Sequence, residues 1–256
     1  MKLNPSTNIL ITGASKGIGE GLARRLASIG GNVIMVSRNA VRLKEISEEI
    51  NKMGFNASYY DCDITDFIKI KKIIGGLDGL DILINNASSN IIKPFIEYDE
   101  NEFDYLLNLN VKAYFMVTQC AVKKMLENKN IKSRGASVIN ISSIMGKVSP
   151  PIKTPRPQSI YTITKHAVEG LTKSLSVELA QHNIRVNSVC PTYVNTDLVK
   201  ETMEDPNHKK YFLDKIPLGR IADIKDVENA VIYLCFDMCS MVTGTSLMID
   251  GGWTAQ

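Results

Sequence analysis

The sequence predicts an α/β protein: a doubly wound parallel sheet of Rossmann type with helices on both faces. Three observations predict it. Short β-branched runs such as Asn8–Thr12 (NILIT) and Asn32–Val36 (NVIMV) are apolar almost throughout, as strands covered on both faces must be. Amphipathic stretches separate them, the first carrying Ile18, Leu22, Leu26 and Ile29 at helical spacing. A glycine-rich turn joins the first strand to that first helix. Alternation of this kind implies βαβ units.

Taken in order, Gly17–Ile29 reads as the first helix and Val41–Met53 as the second, either side of the second strand. Ala57–Asp61 is the expected third strand and Leu80–Ile84 (LDILI) the fourth. A long helical region runs from Glu100 to Leu126. Ser137–Ile141 (SVINI) is a fifth strand, Ile160–His182 a helix, and Ile184–Cys190 (IRVNSVC) a sixth strand. Helical stretches over Val194–Asp214 and Asp226–Cys235 precede a last strand, Ser246–Ile249. Lys147–Gln158 (KVSPPIKTPRPQ) holds four prolines and must be an extended loop. No repeat and no linker divides the chain, so residues 1–256 are expected to form one domain.

Composition narrows the function. A net charge of +3 in 256 residues, without a Lys/Arg cluster, argues against nucleic acid as a partner. Cys62, Cys120, Cys190, Cys235 and Cys239 form no CxxC pair, and with only His166, His182 and His208 a metal centre is not expected. Free, mostly buried thiols in a reducing compartment fit this usage. There is no signal-like segment and no run of about 18 apolar residues, so the expectation is a cytoplasmic protein with no membrane partner.

The turn Thr12-Gly13-Ala14-Ser15-Lys16-Gly17-Ile18-Gly19 has the chemistry of a diphosphate cradle. Glycines allow a tight turn and close backbone approach, and the helix N-terminus offers N–H groups and a favourable dipole to an anion. The same residues fit the GxSxG elbow of α/β-hydrolases, with Ser15 as nucleophile. That rival needs earlier strands and an oxyanion loop, and too little chain precedes Ser15. Some twenty residues on, the second strand ends Val36-Ser37-Arg38. An acid there would favour NAD, whereas Arg38 can pair bidentately with a 2′-phosphate, and Lys16 adds a second cation. NADP(H) is therefore the expected cofactor.

Tyr161-Thr-Ile-Thr-Lys165 places a phenol and an ammonium one helical turn apart. A nearby cation is expected to draw the phenol down from its ordinary pKa of about 10 toward the working range. The spacing alone is weak, since Tyr211-Phe-Leu-Asp-Lys215 has it too. Tyr161 differs in having a strand, Val138–Ser143, that ends in hydroxyls shortly upstream, where strand C-termini line the ligand crevice. Ser143 is placed to hold a substrate carbonyl oxygen, and Asn110 to tether a relay water to Lys165.

With these residues assembled, the chain resembles the classical short-chain dehydrogenase/reductase family over nearly its whole length. Thr12–Gly19 matches the TGxxxGxG cofactor motif, and Asp63, followed by Ile64, stands where the family's acid meets adenine. Asn85-Asn86-Ala87 resembles the NNAG motif, with Ser88 in place of glycine. Asn110, Ser143, Tyr161 and Lys165 match the catalytic tetrad. Ile184–Pro191 resembles the nicotinamide-side segment, which implies carboxamide contacts at Val194 and Thr196. Thr243–Gly252 is similar to the closing strand. The resemblance thus implies cofactor contacts at Gly13, Ser15, Lys16, Gly17, Ile18, Gly19, Ser37, Arg38, Asp63, Ile64, Asn86, Ala87, Tyr161, Lys165, Val194 and Thr196. Val36-Ser37-Arg38, Cys190–Thr196 and Ile216-Pro-Leu-Gly219 are most similar to the L-xylulose reductases and related tetrameric carbonyl reductases. That likeness implies NADPH, small sugars or α-dicarbonyls as substrates, and a homotetramer.

The family implies reduction of a carbonyl to a secondary alcohol, the hydride coming from nicotinamide and the proton from Tyr161. Met145, Tyr193, Leu198 and Met203 are candidate substrate contacts, Trp253 a candidate subunit contact. Cationic Lys147 or Lys153 would favour acidic substrates. A 3-oxoacyl thioester reductase is the rival within the class. A cofactor-sensing scaffold without catalysis is the rival outside it, and an intact tetrad argues against that one.

Overall fold

The computed structural model describes residues 3–4, 6–129, 131–151 and 154–256, with the side chains at 197, 198, 201 and 202 left out. The strands are β1 (Asn8–Thr12), β2 (Asn32–Ser37), β3 (Asn56–Asp61), β4 (Ile82–Asn85), β5 (Ala136–Ile141), β6 (Ile184–Pro191) and β7 (Ser246–Ile249). They form one parallel sheet in the order β3-β2-β1-β4-β5-β6-β7. The winding direction reverses between β1 and β4, and the crevice beyond the strand C-termini there is where α/β sheets of this kind bind ligands.

Alternate side chains along each strand feed two cores. Ile9, Ile11, Val33 and Met35 pack with Leu22 and Leu26 of helix α1 (Gly17–Ser28), with Leu43 and Ile46 of α2 (Ala40–Lys52), and with a late helix carrying Val227 and Val231. Leu10, Ile34, Val36 and Leu83 face the other way. They meet Ile70 and Ile74 of α3 (Phe67–Gly75), then Val117 and Ala121 beyond α4 (Glu100–Leu107) on α5 (Ala113–Leu126). A short α6 (Ile131–Arg134) leads into β5. The long α7 (Ser159–Glu178) packs on that same face, where Asn140 of β5 donates to Thr172 Oγ1 at 2.9 Å.

The expected strands and main helices are all present, with shifts of a residue or two at their ends. Four differences have physical causes. Helix α3 was not expected, although Asp66 caps it by accepting from Lys69 N at 3.0 Å and Ile70 and Ile74 point inward one turn apart. The helical region 100–126 is interrupted by a π-helical turn, Asn108–Lys112. The stretch read as one helix over 194–214 is two, α8 (Asp197–Glu204) and α9 (Pro206–Leu213), because Pro206 starts a new helix capped by Asp205. Helix α7 ends before His182, and Asn183 at φ 58° turns the chain into β6. The last helix, α10 (Ile224–Cys235), is closed at its start by an Asp223–Asp226 capping box.

All five cysteines are free thiols, four of them buried. Among the described residues no helix is long and apolar enough to cross a membrane, and no group of three His, Cys, Asp or Glu could hold a metal ion.

Candidate active site

The end of β1 and the start of β4's following loop are locked together. Asn86 Nδ2 donates to the carbonyls of Thr12 and Gly13, at 3.0 and 3.1 Å. Thr12 Oγ1 in turn accepts from the N–H groups of Asn86 and Ala87, at 3.0 and 3.2 Å. The turn runs so close to Ala87 that a Cβ on Gly13 would stand 2.7 Å from the Ala87 Cα, and Gly13 has φ +67°. A Cβ on Gly19 would meet the Gly13 carbonyl oxygen and lie 2.5 Å from Asn86 Nδ2. Helix α1 then opens at Gly17 with Lys16 as an extended, exposed N-cap that makes no side-chain cap. The first-turn N–H groups are thus left for an anion, which is what a diphosphate cradle requires.

On the adenosine side of that turn, Ser15 Oγ and Ser37 Oγ are 2.8 Å apart. Arg38 is well exposed, with Nη1 3.6 Å from Asp63 Oδ2. Asp63 also accepts from the Thr65 N–H and hydroxyl. Burial works against its charge, but these bonds and Arg38 hold the carboxyl below its usual range. Ile64 is buried, its side chain in the same apolar cluster as Leu10. The nucleophile-elbow alternative for Ser15 finds no base here: its hydroxyl partner is Ser37, while His166 bonds its own helix at Thr162 O, 2.9 Å away.

Ser143 stands just past β5 and Tyr161 in the first turn of α7. Both side chains line one cavity, and Ser143 Oγ accepts from Met145 N at 3.1 Å. Lys165 is almost wholly buried one turn along. Its Nζ donates to the Ile141 carbonyl at 2.9 Å and lies 5.4 Å from the Tyr161 ring and 5.6 Å from the Tyr114 ring. Asn110 sits in the π-helical turn with its amide spent on Ser89, accepting from the N–H at 3.0 Å and donating to the carbonyl at 2.9 Å, and on Thr164 Oγ1 at 3.2 Å. The Asn110 side chain therefore braces the loop after β4 against α7.

The expected acidification of Tyr161 does not occur in this structure. Burial pushes the phenol up to about 12, against the pull of the Ser143 side chain, and the buried Cys190 thiol pushes it further up. Burial likewise pulls Lys165 down to about 8, opposed by Cys190 and Glu169. Sequence spacing shows the pair but not its desolvation. At neutral pH the phenol keeps its proton.

A cavity of about 200 Å³ joins these parts. Ile18 of the glycine loop, Asn86, Val194 and Thr196 line it, with Ser143, Met145, Tyr161 and Tyr193. Thr196 also covers the glycine loop, its Cγ2 3.5 Å from where a Gly17 Cβ would be. Met203 packs nearby in the apolar cluster around Phe212, while the Leu198 side chain and Lys153 fall outside the described residues. Trp253 is not a surface group awaiting a subunit: it is buried in its own chain, its ring centroid 6.0 Å from that of Tyr193. Lys147 is paired within the chain, its Nζ 2.9 Å from the buried Glu169 carboxylate. The second YxxxK copy separates, with Tyr211 on α9 edge-on to Phe212 and Lys215 beyond the helix end. Sequence reasoning missed Asn90, Arg156, Gln158 and Thr192 on the cavity wall. Only the position of Gln158, three residues before Tyr161, signalled its place.

Residues 13–254 match a family model described as enoyl-(acyl carrier protein) reductase. The chain is 33% identical to L-xylulose reductase of Bos taurus over 248 residues, covering 96% of each. It is 35% identical to a 3-oxoacyl-[acyl-carrier-protein] reductase of Aquifex aeolicus over 248 residues, covering 95% of each. A gluconate 5-dehydrogenase from Burkholderia cenocepacia, crystallised with NADP and tartrate, superposes at a TM-score of 0.90 with 26% identity, covering 100% of this chain and 97% of that one.

Proposed function

The chain belongs to the short-chain dehydrogenase/reductase family of oxidoreductases, and from that premise we propose that it interconverts a carbonyl and a secondary alcohol with NADP(H). The observation that carries this reading is that Ser143, Tyr161 and Ile18 of the glycine loop line one cavity.

The cofactor fits what is present: glycines that tolerate no Cβ, and an uncapped helix N-terminus. Gly13, Ser15, Lys16, Gly17, Ile18 and Gly19 would hold the diphosphate, and Ser37, Asp63, Ile64, Asn86 and Ala87 the adenosine half. Lys165, Val194 and Thr196 would hold the nicotinamide half. Arg38, as the exposed cation at the end of β2, favours the 2′-phosphate of NADP(H), as NADP in the Burkholderia structure also suggests. When bound, the nicotinamide supplies or accepts hydride. Ser143 and Tyr161 converge on the carbonyl oxygen and polarise it, and Tyr161, protonated at neutral pH, gives its proton to the developing alkoxide. Lys165 sits beneath the phenol to stabilise its charge once the proton leaves, and Asn110 fixes the wall on which both depend.

A small polar substrate of the sugar or dicarbonyl kind suits a cavity of about 200 Å³ walled by Asn90, Gln158 and Arg156 better than a long acyl thioester does. One catalytic domain spanning residues 1–256 suffices, since all the named groups hang on one sheet. Exposed Phe103 and Tyr105 on α4, Phe115 on α5, and Ile163 and Val177 on α7 favour a homotetramer. Free thiols favour a reducing, cytoplasmic setting.

The test follows NADPH oxidation over sugars, diacetyl-type dicarbonyls, acetoacetyl thioesters and steroid ketones. Turnover with at least one small carbonyl is expected, and Tyr161→Phe should lower kcat by roughly 10²–10⁴ while NADPH still binds. Silence across the screen, or near-normal turnover by Tyr161→Phe, would refute the reading.

A further inference from the structure

An ion pair lies beneath the turn that carries Ser143, and neither of its residues lines the catalytic cavity. Ser143 opens a single tight turn, Ile144–Gly146, which is buried throughout, and Ile144 and Met145 line the cavity with it. The turn is closed on itself. Ser143 Oγ accepts from Met145 N at 3.1 Å, the Ser143 carbonyl from Gly146 N at 2.9 Å, and the Ile144 carbonyl from Lys147 N at 2.9 Å. Ser143 and Lys147 are thus the two ends of one stiff unit. From its exposed end, Lys147 reaches inward to Glu169, with Nζ 2.9 Å from Oε2.

Glu169 lies on the face of α7 that carries the chemistry. Tyr161, Lys165 and Glu169 follow one another at intervals of four residues, one helical turn each. The carboxylate is buried, and its other bonds run to the sheet. Oε2 also accepts from Ser246 of β7, and Oε1 accepts from the Cys190 thiol of β6 at 3.5 Å. One carboxylate therefore ties together the Ser143 turn, the helix of Tyr161 and Lys165, and the last two strands. Gly146 lets the turn lie directly on α7, since a Cβ there would stand 2.9 Å from Glu169 Cγ and 3.0 Å from the Lys165 carbonyl oxygen. Apolar groups of similar volume often replace a buried ion pair without loss of stability, so holding the fold does not call for a carboxylate at this depth. Fixing one catalytic segment against another calls for a directional contact.

We propose that Lys147 and Glu169 are positioning residues, their ion pair clamping the turn of Ser143 onto the helix of Tyr161 and Lys165 so that both hydroxyls meet one carbonyl oxygen. This rests on the oxidoreductase reading above and adds two residues to it, neither of which touches substrate or cofactor. A displacement of about 1 Å at a reacting group can lower the rate about 10²-fold, so a modest shift of Ser143 is enough to be read in kcat.

The test removes the clamp from its outer end. Lys147→Met leaves the Glu169 carboxylate in place with its bonds to Ser246 and Cys190. With the carbonyl compound that the NADPH screen finds best, kcat should fall roughly 10–100-fold, while NADPH binding, followed by its fluorescence, is unchanged. Lys147→Arg keeps the pair and should restore most of the rate. A carboxylate acting only through its field on Lys165 gives another pattern, with Glu169→Gln slow and Lys147→Met normal. That pattern overturns the proposal, as does normal kcat in both variants. A second readout needs no turnover: amide hydrogen exchange over residues 142–148 should quicken in Lys147→Met while exchange along α7 does not, and unchanged protection of the turn overturns the proposal. Where Lys147→Met fails to fold, Lys147→Met/Glu169→Met takes its place. Misplacement of Ser143 then predicts slow turnover at every pH. Loss of the field on Lys165, which faces Tyr161, Tyr114 and Cys190, predicts recovery as pH falls and the ammonium returns, and such recovery overturns the proposal. If the wild type turns over no carbonyl, the oxidoreductase reading falls and exchange alone decides the clamp.

Discussion

Replacing Lys165 by methionine should make the protein more stable and inactive at once. The side chain is almost wholly buried, and its pKa falls from 10.5 to about 8 because burial disfavours the ammonium. At about 1.4 kcal/mol per pKa unit, holding that charge below pH 8 costs about 3 kcal/mol. Methionine has a similar unbranched stem and no charge. It gives up the bond from Nζ to the Ile141 carbonyl, but that oxygen keeps the Tyr114 hydroxyl at 3.2 Å, so the loss is about 1 kcal/mol. The net gain of about 2 kcal/mol raises Tm by about 4 °C in a chain of this length. The sign with pH follows from linkage. The folded pKa lies below the unfolded one, so between about pH 8 and 10.5 the unfolded chain binds more protons, and the wild type regains stability as pH rises. Calorimetric or fluorescence melts of cofactor-free protein from pH 7 to 10 should show the gap between variant and wild type closing. A variant that melts below the wild type at pH 7, or a gap indifferent to pH, would refute the reasoning.

Arg38→Asp should raise the KM for NADPH by roughly 10–100-fold, from loss of about 1.5–3 kcal/mol, while NADH use is spared; steady-state kinetics with both cofactors checks this. Gly19→Ala should cost about 1–3 kcal/mol, since its Cβ meets a backbone oxygen and Asn86, and should weaken NADPH binding together with a fall in Tm. Because burial holds the Tyr161 phenol up at about 12, reduction should be nearly flat from pH 6 to 8, whereas alcohol oxidation, which needs the phenol's proton removed, should rise with pH; paired pH–rate profiles decide it.

The parts of this protein legible in its sequence are those set by local geometry. Apolar runs make covered strands, three glycines at the first βα turn make a cradle, and Tyr161 and Lys165 four residues apart share a helix face. What was not legible depends on distant chain. Helix α3 had the apolar spacing of Ile70 and Ile74 and the cap of Asp66, a signal present but passed over. The π-helical turn is braced by Asn110 bonding Ser89, a contact 21 residues away that no periodicity displays. Lys147 and Arg156 are equally basic in the loop KVSPPIKTPRPQ, and only the folded chain spends the first on Glu169 and turns the second to the cavity.

The same asymmetry explains why charge pairing alone misjudged the catalytic pair. A lysine beside a tyrosine acidifies it when the ammonium is secure, but here both side chains are packed where neither ion is solvated. Glu169, one turn beyond Lys165, is the charge that makes such burial tolerable: burial opposes its own ionisation, yet Ser246, Lys147, Ser188 and Ser142 hold it below the usual range. Its carboxylate raises the lysine's pKa from behind while Lys147 and Ser246 fix it in place. The resting site therefore holds a proton on Tyr161 and a strained charge on Lys165, a combination poised to give a proton to an alkoxide.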